Sequence, residues 1–265
     1  MLRFGNGAEG IERLDAVLVG EGFSPHRHDT YAIGCTLNGV QTFRYRGESQ
    51  HCLPGQWHVL HPDELHDGAP GADDGFGYRI MYVDPWLVQQ ALGGAPLPFV
   101  AQPVIDHERM DVGLRGFLRE IDTPLDDVGR TDLAVAIADM LRAHGDAPRE
   151  RRSTLAAPAV SRVRELILAD PTVRQPVAEF ERVSGLDRWT VARQFRAAFG
   201  TSPTRFRTMR QLDLARRLMR AGRSLSEVAA VAGFADQSHL TRMFKGAYGL
   251  TPAAWLAAQG PVRAS

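Results

Sequence analysis

An internal repeat with a period of 49 residues restricts the fold of this chain more than any other feature. Each copy has an apolar helical segment, a turn at glycine, an aspartate suited to capping a helix, and a second helical segment. A helix, a short glycine-containing turn and a second helix make up a helix-turn-helix unit. The repeat therefore predicts two such units in the C-terminal part of the chain. The recurring pairs are Arg193 and Arg242, Phe195 and Phe244, Phe199 and Tyr248, Gly200 and Gly249, and Pro203 and Pro252, with Arg196 and Lys245 as a similar pair.

The spacing of apolar residues predicts where the helices of each unit lie. A capping-box pattern at Ser224 and Glu227 marks the start of one of them. Between the units, apolar residues at helical spacing predict a linker helix over Thr204–Ala221, long enough to set the two second helices roughly 34 Å apart, one turn of B-DNA. The predicted helices of the units are Val177–Val183 and Arg188–Ala198 in the first copy, and Ser226–Ala232 and Gln237–Ala247 in the second.

The second helix of each unit has an apolar face and a face suited to DNA. Val191 and Phe195 share the face that we expect to pack in the core, whereas Trp189 and Arg193 are four residues apart on another face. The matching pair in the second copy is Ser238 and Arg242. Arginine can donate two hydrogen bonds to guanine in the major groove, and its recurrence favours base recognition over a plain surface role. For Trp189, core packing and contact with a thymine methyl group both stay open.

The charge of the chain is divided between its two parts. Lys and Arg together number 31, as do Asp and Glu, so the formal net charge is zero. Residues 1–150 contain 12 basic and 23 acidic residues, whereas residues 151–265 contain 19 basic and 8 acidic ones, giving net charges of −11 and +11. This asymmetry predicts two domains, of which the basic one binds a polyanion. Our candidates for contacts with DNA phosphates are Arg196, Arg205, Arg210 and Lys245.

The acidic part has the pattern of a small β-structure followed by helices. Short alternating runs separated by turn signals between residues 11 and 85 indicate a barrel or jelly roll. Met110–Ile121 and Leu133–Leu141 have helical apolar spacing, and these stripes pack either against their own barrel or against a second subunit. We expect an N-terminal domain over residues 1–145, a linker over 146–158 and a C-terminal domain over 159–265.

Several classes of protein are disfavoured by composition. The chain has no apolar run of the length that a membrane span needs, and its first residues lack the pattern of a secretion signal. Cys35 and Cys52 form no metal-binding or redox pattern, so we expect them to be buried and reduced. We therefore expect the protein in the cytoplasm.

The segment from Gly233 to Lys245, followed by Tyr248 to Pro252, resembles the signature of the AraC/XylS family of bacterial transcription regulators. The resemblance covers Ala159–Leu256 and implies two helix-turn-helix units joined by a linker helix. The base-reading positions that it implies are Trp189 and Arg193 in the first unit, and Ser238 and Arg242, with Gln237 and His239 nearby, in the second.

The N-terminal part resembles the cupin-like effector or dimerisation domain of many members of that family. The motifs that carry this likeness are Pro25–Asp29, Asn38-Gly39, Leu53–Gln56 and Pro62–His66. The implied fold is an α+β multidomain protein: an N-terminal cupin-like β-barrel with following helices, and an all-α C-terminal domain. The barrel interior is then expected to bind a small molecule. Candidate pocket residues are His26, His28, Tyr31, Tyr45, Trp57, His66, Arg79 and Tyr82, although strand alternation places Arg79 opposite Tyr82.

Three histidines in this part also fit a metal-site pattern. His26 and His28 lie two apart on a strand, which puts both rings on one face, and His66 can join them from a neighbouring strand. Metal-binding cupins also use a glutamate a few residues after the pair, and residues 29–34 contain none. We therefore expect no cofactor and favour hydrogen-bonding roles, with a metal on His26, His28 and His66 as the alternative.

Together these patterns predict a sequence-specific DNA-binding transcription regulator rather than an enzyme. We expect control by a small-molecule effector, a homodimer, promoter DNA as partner, and RNA polymerase as a further partner if the protein activates. A cupin metalloenzyme with a helical appendage is the competing hypothesis. A partner-binding scaffold without DNA affinity would leave the repeated arginines unexplained.

Overall fold

The computed structural model describes residues 1–145 and 155–259, and it confirms the predicted α+β organisation with a β-rich N-terminal and a helical C-terminal domain. Most of the predicted linker, residues 146–154, lies outside the described residues. Its predicted end is slightly too late, because α4 begins at Ala157 and Pro158 belongs to its first turn.

The N-terminal domain contains two antiparallel sheets. The strands are β1 Leu2–Phe4, β2 Ile11–Leu18, β3 Phe23–His26, β4 Tyr31–Gly39, β5 Gln41–Tyr45, β6 Glu48–Cys52, β7 Trp57–Leu60, β8 His66–Pro70, β9 Phe76–Val83 and β10 Val104–Ile105. Their order is β1-β2-β9-β4-β7-β10 in the larger sheet and β3-β8-β5-β6 in the smaller one. Apolar residues of both sheets share one core, so the domain is a sandwich of two facing sheets rather than one barrel closed by hydrogen bonds.

The change of sheet between β4 and β5 depends on a glycine. Gly39 has φ +67°, in the left-handed region, where a residue with a side chain is strained. A Cβ atom at this position would lie 2.1 Å from the carbonyl oxygen of Gly75. The chain can therefore leave the larger sheet at Gly39 and enter the smaller one within two residues.

Three helices cover the outer face of the larger sheet: α1 Pro85–Ala91, α2 Val112–Arg119 and α3 Asp127–His144. The apolar stripes predicted at Met110–Ile121 and Leu133–Leu141 are buried in one core with strand residues such as Ile33 and Met81. The first of the two alternatives is therefore correct. These stripes cannot also form a dimer interface, because their own domain already covers them.

The C-terminal domain contains the repeated units with the predicted helices. They are α4 Ala157–Ala169, α5 Val177–Ser184, α6 Arg188–Phe199, α7 Pro203–Arg220, α8 Leu225–Val231, α9 Gln237–Tyr248 and α10 Pro252–Ala258. Every predicted boundary lies within one residue of the observed one, and the capping box of Ser224 and Glu227 is formed. Both α6 and α9 end at a left-handed glycine, Gly200 and Gly249 respectively.

The two domains pack tightly against each other. One apolar core combines residues of the sandwich interior, such as Leu14 and Ile80, with Leu212 of α7 and Trp255 of α10. Backbone hydrogen bonds also cross the boundary, among them Ser24 N–H to the Gly249 carbonyl at 3.1 Å. The helix α7, whose 18 residues rise about 27 Å, therefore links the two units and also contacts the N-terminal domain.

Two further predictions concern single features. Cys35 and Cys52 are both buried and free, as expected. None of the helices in the described part of the chain combines the length and the apolar content of a membrane-spanning helix.

Candidate functional site

The helix α6 exposes the residues predicted to read bases. Asp187 caps it by accepting hydrogen bonds from the backbone N–H groups of Trp189 and Thr190, at 3.0 and 3.1 Å. The Trp189 side chain is 71% exposed, which rules out core packing in this arrangement. Arg193 is also exposed and donates to the Thr190 hydroxyl at 2.9 Å. On the opposite face Phe195 is buried, so the predicted division of the helix into two faces is correct.

The helix α9 has the same arrangement in the second unit. Asp236 caps it by accepting from the backbone N–H of His239 at 2.6 Å. Gln237, Ser238 and Arg242 are exposed. His239 is half-buried, and its Nδ1 atom accepts a hydrogen bond from the Ala235 N–H at 3.3 Å, so this ring also stabilises the turn.

The four candidate phosphate contacts fall into two groups. Arg196 and Lys245 are exposed on α6 and α9. Arg205 and Arg210 instead lie at the domain boundary: Arg205 donates to the backbone carbonyl of Arg27, and Arg210 is 2.8 Å from a carboxylate oxygen of Asp29. Neither side chain can contact a phosphate in this arrangement, so the structure does not support that prediction for Arg205 and Arg210. The reason is that the inward face of α7 packs against the N-terminal domain.

The ion pairs across the domain boundary all have the same polarity. In each pair of the described residues the carboxylate belongs to the N-terminal domain and the arginine to the C-terminal domain. The pairs are Glu12 with Arg216 at 2.6 Å, Asp29 with Arg210 at 2.8 Å, Asp63 with Arg205 at 3.7 Å and Asp84 with Arg164 at 3.9 Å. The charge difference between the two parts of the sequence thus corresponds to a complementary interface.

The pair of Asp29 and Arg210 is the most deeply buried of these. Burial raises the pKa of Asp29 to about 7, because removal from water disfavours the carboxylate more than Arg210 stabilises it. Burial alone would lower the pKa of Arg210, but the charges of Asp29 and Asp213 outweigh it and raise that pKa. Each partner therefore depends on the other for compensation of a buried charge.

A cavity of about 370 Å³ lies between the domains. One face of β9 forms part of its wall, with Tyr78 and Tyr82 among the lining residues. This face of the strand is therefore the internal one. Arg216 and Tyr248 of the C-terminal domain form another part. Apolar walls with a few polar groups are typical of small-molecule sites. Because both domains line the cavity, a bound molecule would contact both.

Half of the predicted pocket residues line this cavity: His26, His28, His66 and Tyr82. The other four do not. Tyr31 and Trp57 are buried in the core between the larger sheet and its helices. Tyr45 is buried, and its hydroxyl accepts from the His61 N–H at 3.4 Å. Arg79 points to the opposite face of β9, where its Nε donates to Asp15 at 2.6 Å.

Sequence reasoning missed the cavity residues that depend on the contact between domains. Glu12 and Asp29 line it from the N-terminal domain, and Arg216 and Tyr248 from the C-terminal one. Asp29 directly follows the His-x-His motif, which was the only available signal for it. Nothing in the local pattern shows that α7, some 180 residues later, closes the cavity.

Two protein-family models match this chain. Residues 10–138 match the AraC-like ligand binding domain, and residues 181–258 match a helix-turn-helix domain. The chain belongs to the AraC family. It is 22% identical over 223 residues to the uncharacterized HTH-type transcriptional regulator YbfI of Bacillus subtilis. The matched region covers 82% of this chain and 81% of YbfI. It is 32% identical over 106 residues to the regulator RipA of Corynebacterium glutamicum, covering 40% of this chain and 32% of RipA.

Solved structures of ToxT from Vibrio cholerae share the fold of this AraC-family chain. One has a TM-score of 0.65 at 11% identity and covers 95% of this chain and 100% of ToxT. Another, ToxT with a bound unsaturated fatty acid, has a TM-score of 0.66 at 14% identity. It covers 96% of this chain and 97% of that ToxT chain. The protein is an AraC-type transcription regulator with a ligand-binding N-terminal domain and a helix-turn-helix DNA-binding domain.

Proposed function

We propose that this AraC-family regulator binds promoter DNA with the exposed faces of α6 and α9, and that an effector in the interdomain cavity controls this binding. One observation carries the proposal: the cavity is lined by both domains and lies beside the ion pairs that hold α7. An effector can shift an equilibrium between two arrangements only if it binds them with different affinity. A molecule that touches both domains meets this condition.

The arrangement of the domains limits contact with DNA. Trp189, Arg193 and Arg242 are exposed, so they are accessible to bases in the major groove. Arg205 and Arg210 instead bind groups of the N-terminal domain. Carboxylates near the duplex also repel its phosphates. We infer that the described arrangement binds DNA more weakly than one in which the domains separate.

The cavity chemistry favours an effector with an apolar body and a group that accepts hydrogen bonds. Leu14 and Ile80 supply apolar wall, while Arg216 and Arg210 supply donors. An anionic group would compete with Glu12 and Asp29 for these arginines, since each arginine already pairs with a carboxylate. The unsaturated fatty acid bound by ToxT is a molecule of this general kind.

The remaining parts of the proposal concern partners and location. We expect no catalytic activity, a location in the cytoplasm, and contact with RNA polymerase if the protein activates transcription. We expect a homodimer formed by a surface other than the buried faces of Met110–Ile121 and Leu133–Leu141. Val128 and Val135 of α3, which are 67% and 43% exposed, offer apolar surface on the side facing away from the sandwich. Sedimentation of the full chain at micromolar concentration tests the dimer, and a monomeric mass would exclude it.

Genome-wide footprinting of the bound protein, followed by titration on the recovered promoter fragment, tests the DNA-binding function. A protein that makes 6–10 phosphate contacts loses roughly 10³–10⁵ in affinity between 50 and 200 mM salt. We expect a steep salt dependence and protection of two major grooves about one helical turn apart. Diffuse protection without a recurrent site would contradict sequence-specific regulation.

A further inference from the structure

A cluster of three buried histidines forms part of the cavity wall. His26 ends β3, His66 begins β8 directly opposite it in the sheet, and His28 lies two residues after His26. The ring centroid of His66 is 4.3 Å from that of His26 and 4.8 Å from that of His28. One nitrogen atom from each ring lies within 4.8 Å of the others.

The hydrogen bonds of the three rings fix their tautomers in the same way. The Nδ1 atom of His26 is 2.8 Å from the Ser24 carbonyl, that of His28 is 2.9 Å from the Thr30 carbonyl, and that of His66 is 2.9 Å from the Glu64 carbonyl. A carbonyl oxygen can only accept, so each Nδ1 must carry the hydrogen. Each Nε2 atom therefore presents a lone pair.

This arrangement is the one that metal-binding histidines have. A histidine ligand usually donates its other N–H to a carbonyl or carboxylate, which fixes the tautomer and orients the ring. Here three rings share that arrangement, and the Nε2 atom of His28 is buried without a hydrogen-bond partner in the described part of the chain. Buried polar atoms without partners are rare in folded proteins.

We propose that the Nε2 atoms of His26, His28 and His66 bind one divalent first-row transition-metal ion, such as Zn²⁺ or Co²⁺. Imidazole nitrogens suit these ions. Nitrogens at 2.0–2.1 Å from tetrahedral zinc are about 3.4 Å apart. One nitrogen of each ring lies within 4.8 Å of the others here, so the three rings need to move closer together to share an ion. Among the described residues, no cysteine or carboxylate joins the cluster, and all three histidines line the cavity. A fourth ligand would therefore be water or a molecule bound in the cavity.

The site also contacts the second helix-turn-helix unit. A Cβ atom at Gly249, where α9 ends, would lie 2.8 Å from the Nδ1 atom of His26. A metal ion that moves these rings closer together would therefore change the packing at the C-terminal end of this helix. The proposal itself does not depend on the proposed DNA-binding function, because metal binding is measured without DNA.

The test is equilibrium dialysis of the full-length, untagged protein against Zn²⁺ or Co²⁺, followed by elemental analysis. We expect one equivalent per chain, a rise in the unfolding temperature, and the visible absorption of tetrahedral cobalt. His28→Gln and His66→Gln should each lower the affinity at least tenfold. His61→Gln is the matched control, because His61 is equally buried but lies outside the cluster, and it should retain one equivalent.

Two results would overturn the proposal. One is less than a tenth of an equivalent of either metal on the folded wild-type chain. The other is equal loss of metal in the variants and the control, or no loss in any of them. Should the variants fail to fold, X-ray absorption of the cobalt-loaded wild-type protein decides: three imidazole ligands support the site, and a spectrum without imidazole scattering contradicts it.

Discussion

Arginines define two surfaces of the C-terminal domain, and these surfaces differ in what surrounds them. The reading surface consists of Trp189, Arg193, Ser238 and Arg242, which are all exposed. The interdomain surface contains Arg164, Arg205, Arg210 and Arg216, whose side chains are 14%, 20%, 18% and 13% exposed. Within the described residues, the arginines of the reading surface form no ion pair, whereas each interdomain arginine faces a carboxylate of the N-terminal domain.

The difference shows that an excess of arginine does not by itself identify a DNA contact. An exposed guanidinium keeps its hydration until DNA replaces it, whereas a buried one needs a counter-charge within the fold. The same basic domain can thus present one set of arginines to DNA and use another to hold its partner domain. Separate substitutions in the two surfaces should therefore have different consequences.

The largest expected effect follows from breaking the interdomain surface. Arg210→Ala leaves the buried Asp29 carboxylate without its partner, which should lower the free energy of unfolding by about 3–5 kcal/mol. Urea unfolding of the full chain measures this. Arg182→Ala is the control, because its pair with Glu179 is on the surface and its side chain is 67% exposed. Equal, small effects of both substitutions would show that the interdomain pair is not a buried one in solution.

The next effect concerns the reading surface. Arg193→Ala and Arg242→Ala should each cost about 1–3 kcal/mol of discrimination between the operator and a site with a changed base, and neither should alter urea unfolding. Fluorescence titration with matched duplexes measures the discrimination. Arg188→Ala is a suitable control, since Arg188 is on α6 but pairs with Glu181. Unchanged discrimination in both variants would mean that another face reads the bases.

A third effect is on the pH dependence of stability, and it involves a buried histidine outside both surfaces. Burial lowers the pKa of His61 to about 4, so this ring stays neutral in the folded chain while it is protonated in the unfolded chain below about pH 6.5. The unfolded state then binds more protons, and stability falls as pH drops from about 6.5 to 4, by up to about 1.4 kcal/mol per pH unit for this group. We expect His61→Gln to reduce the slope of unfolding free energy against pH. An identical slope in the variant would exclude His61 as the cause.

The sequence predicts the two surfaces unequally well for physical reasons. The faces of α6 and α9 follow from local helical spacing and from the repeat, so Phe195 is buried and Arg193 exposed as predicted. The face of α7 that meets the N-terminal domain is different. Arg210 lies on this helix among polar residues, and its partner Asp29 is 181 residues away. Local periodicity contains no information about such a pair.

The cavity illustrates the same limit in the N-terminal domain. Alternation along β9 correctly separates Tyr82 from Arg79, but it does not show which face is internal. Tyr31 and Trp57 fit a pocket by residue type, yet the helices α1–α3 cover their side of the sheet. The histidine motif was visible in the sequence, whereas the common hydrogen-bond pattern of its three rings required the structure.

One measurement tests most directly whether the interdomain surface restrains DNA binding. It compares the operator affinity of the double variant Glu12→Gln, Asp29→Asn with that of the wild type. These substitutions remove the carboxylates that hold Arg216 and Arg210 while leaving the reading surface intact. We predict a dissociation constant lower by about tenfold, equivalent to about 1.4 kcal/mol, for a variant whose circular dichroism matches wild type. An unchanged or higher dissociation constant would contradict the claim that the N-terminal domain holds the linker helix away from DNA.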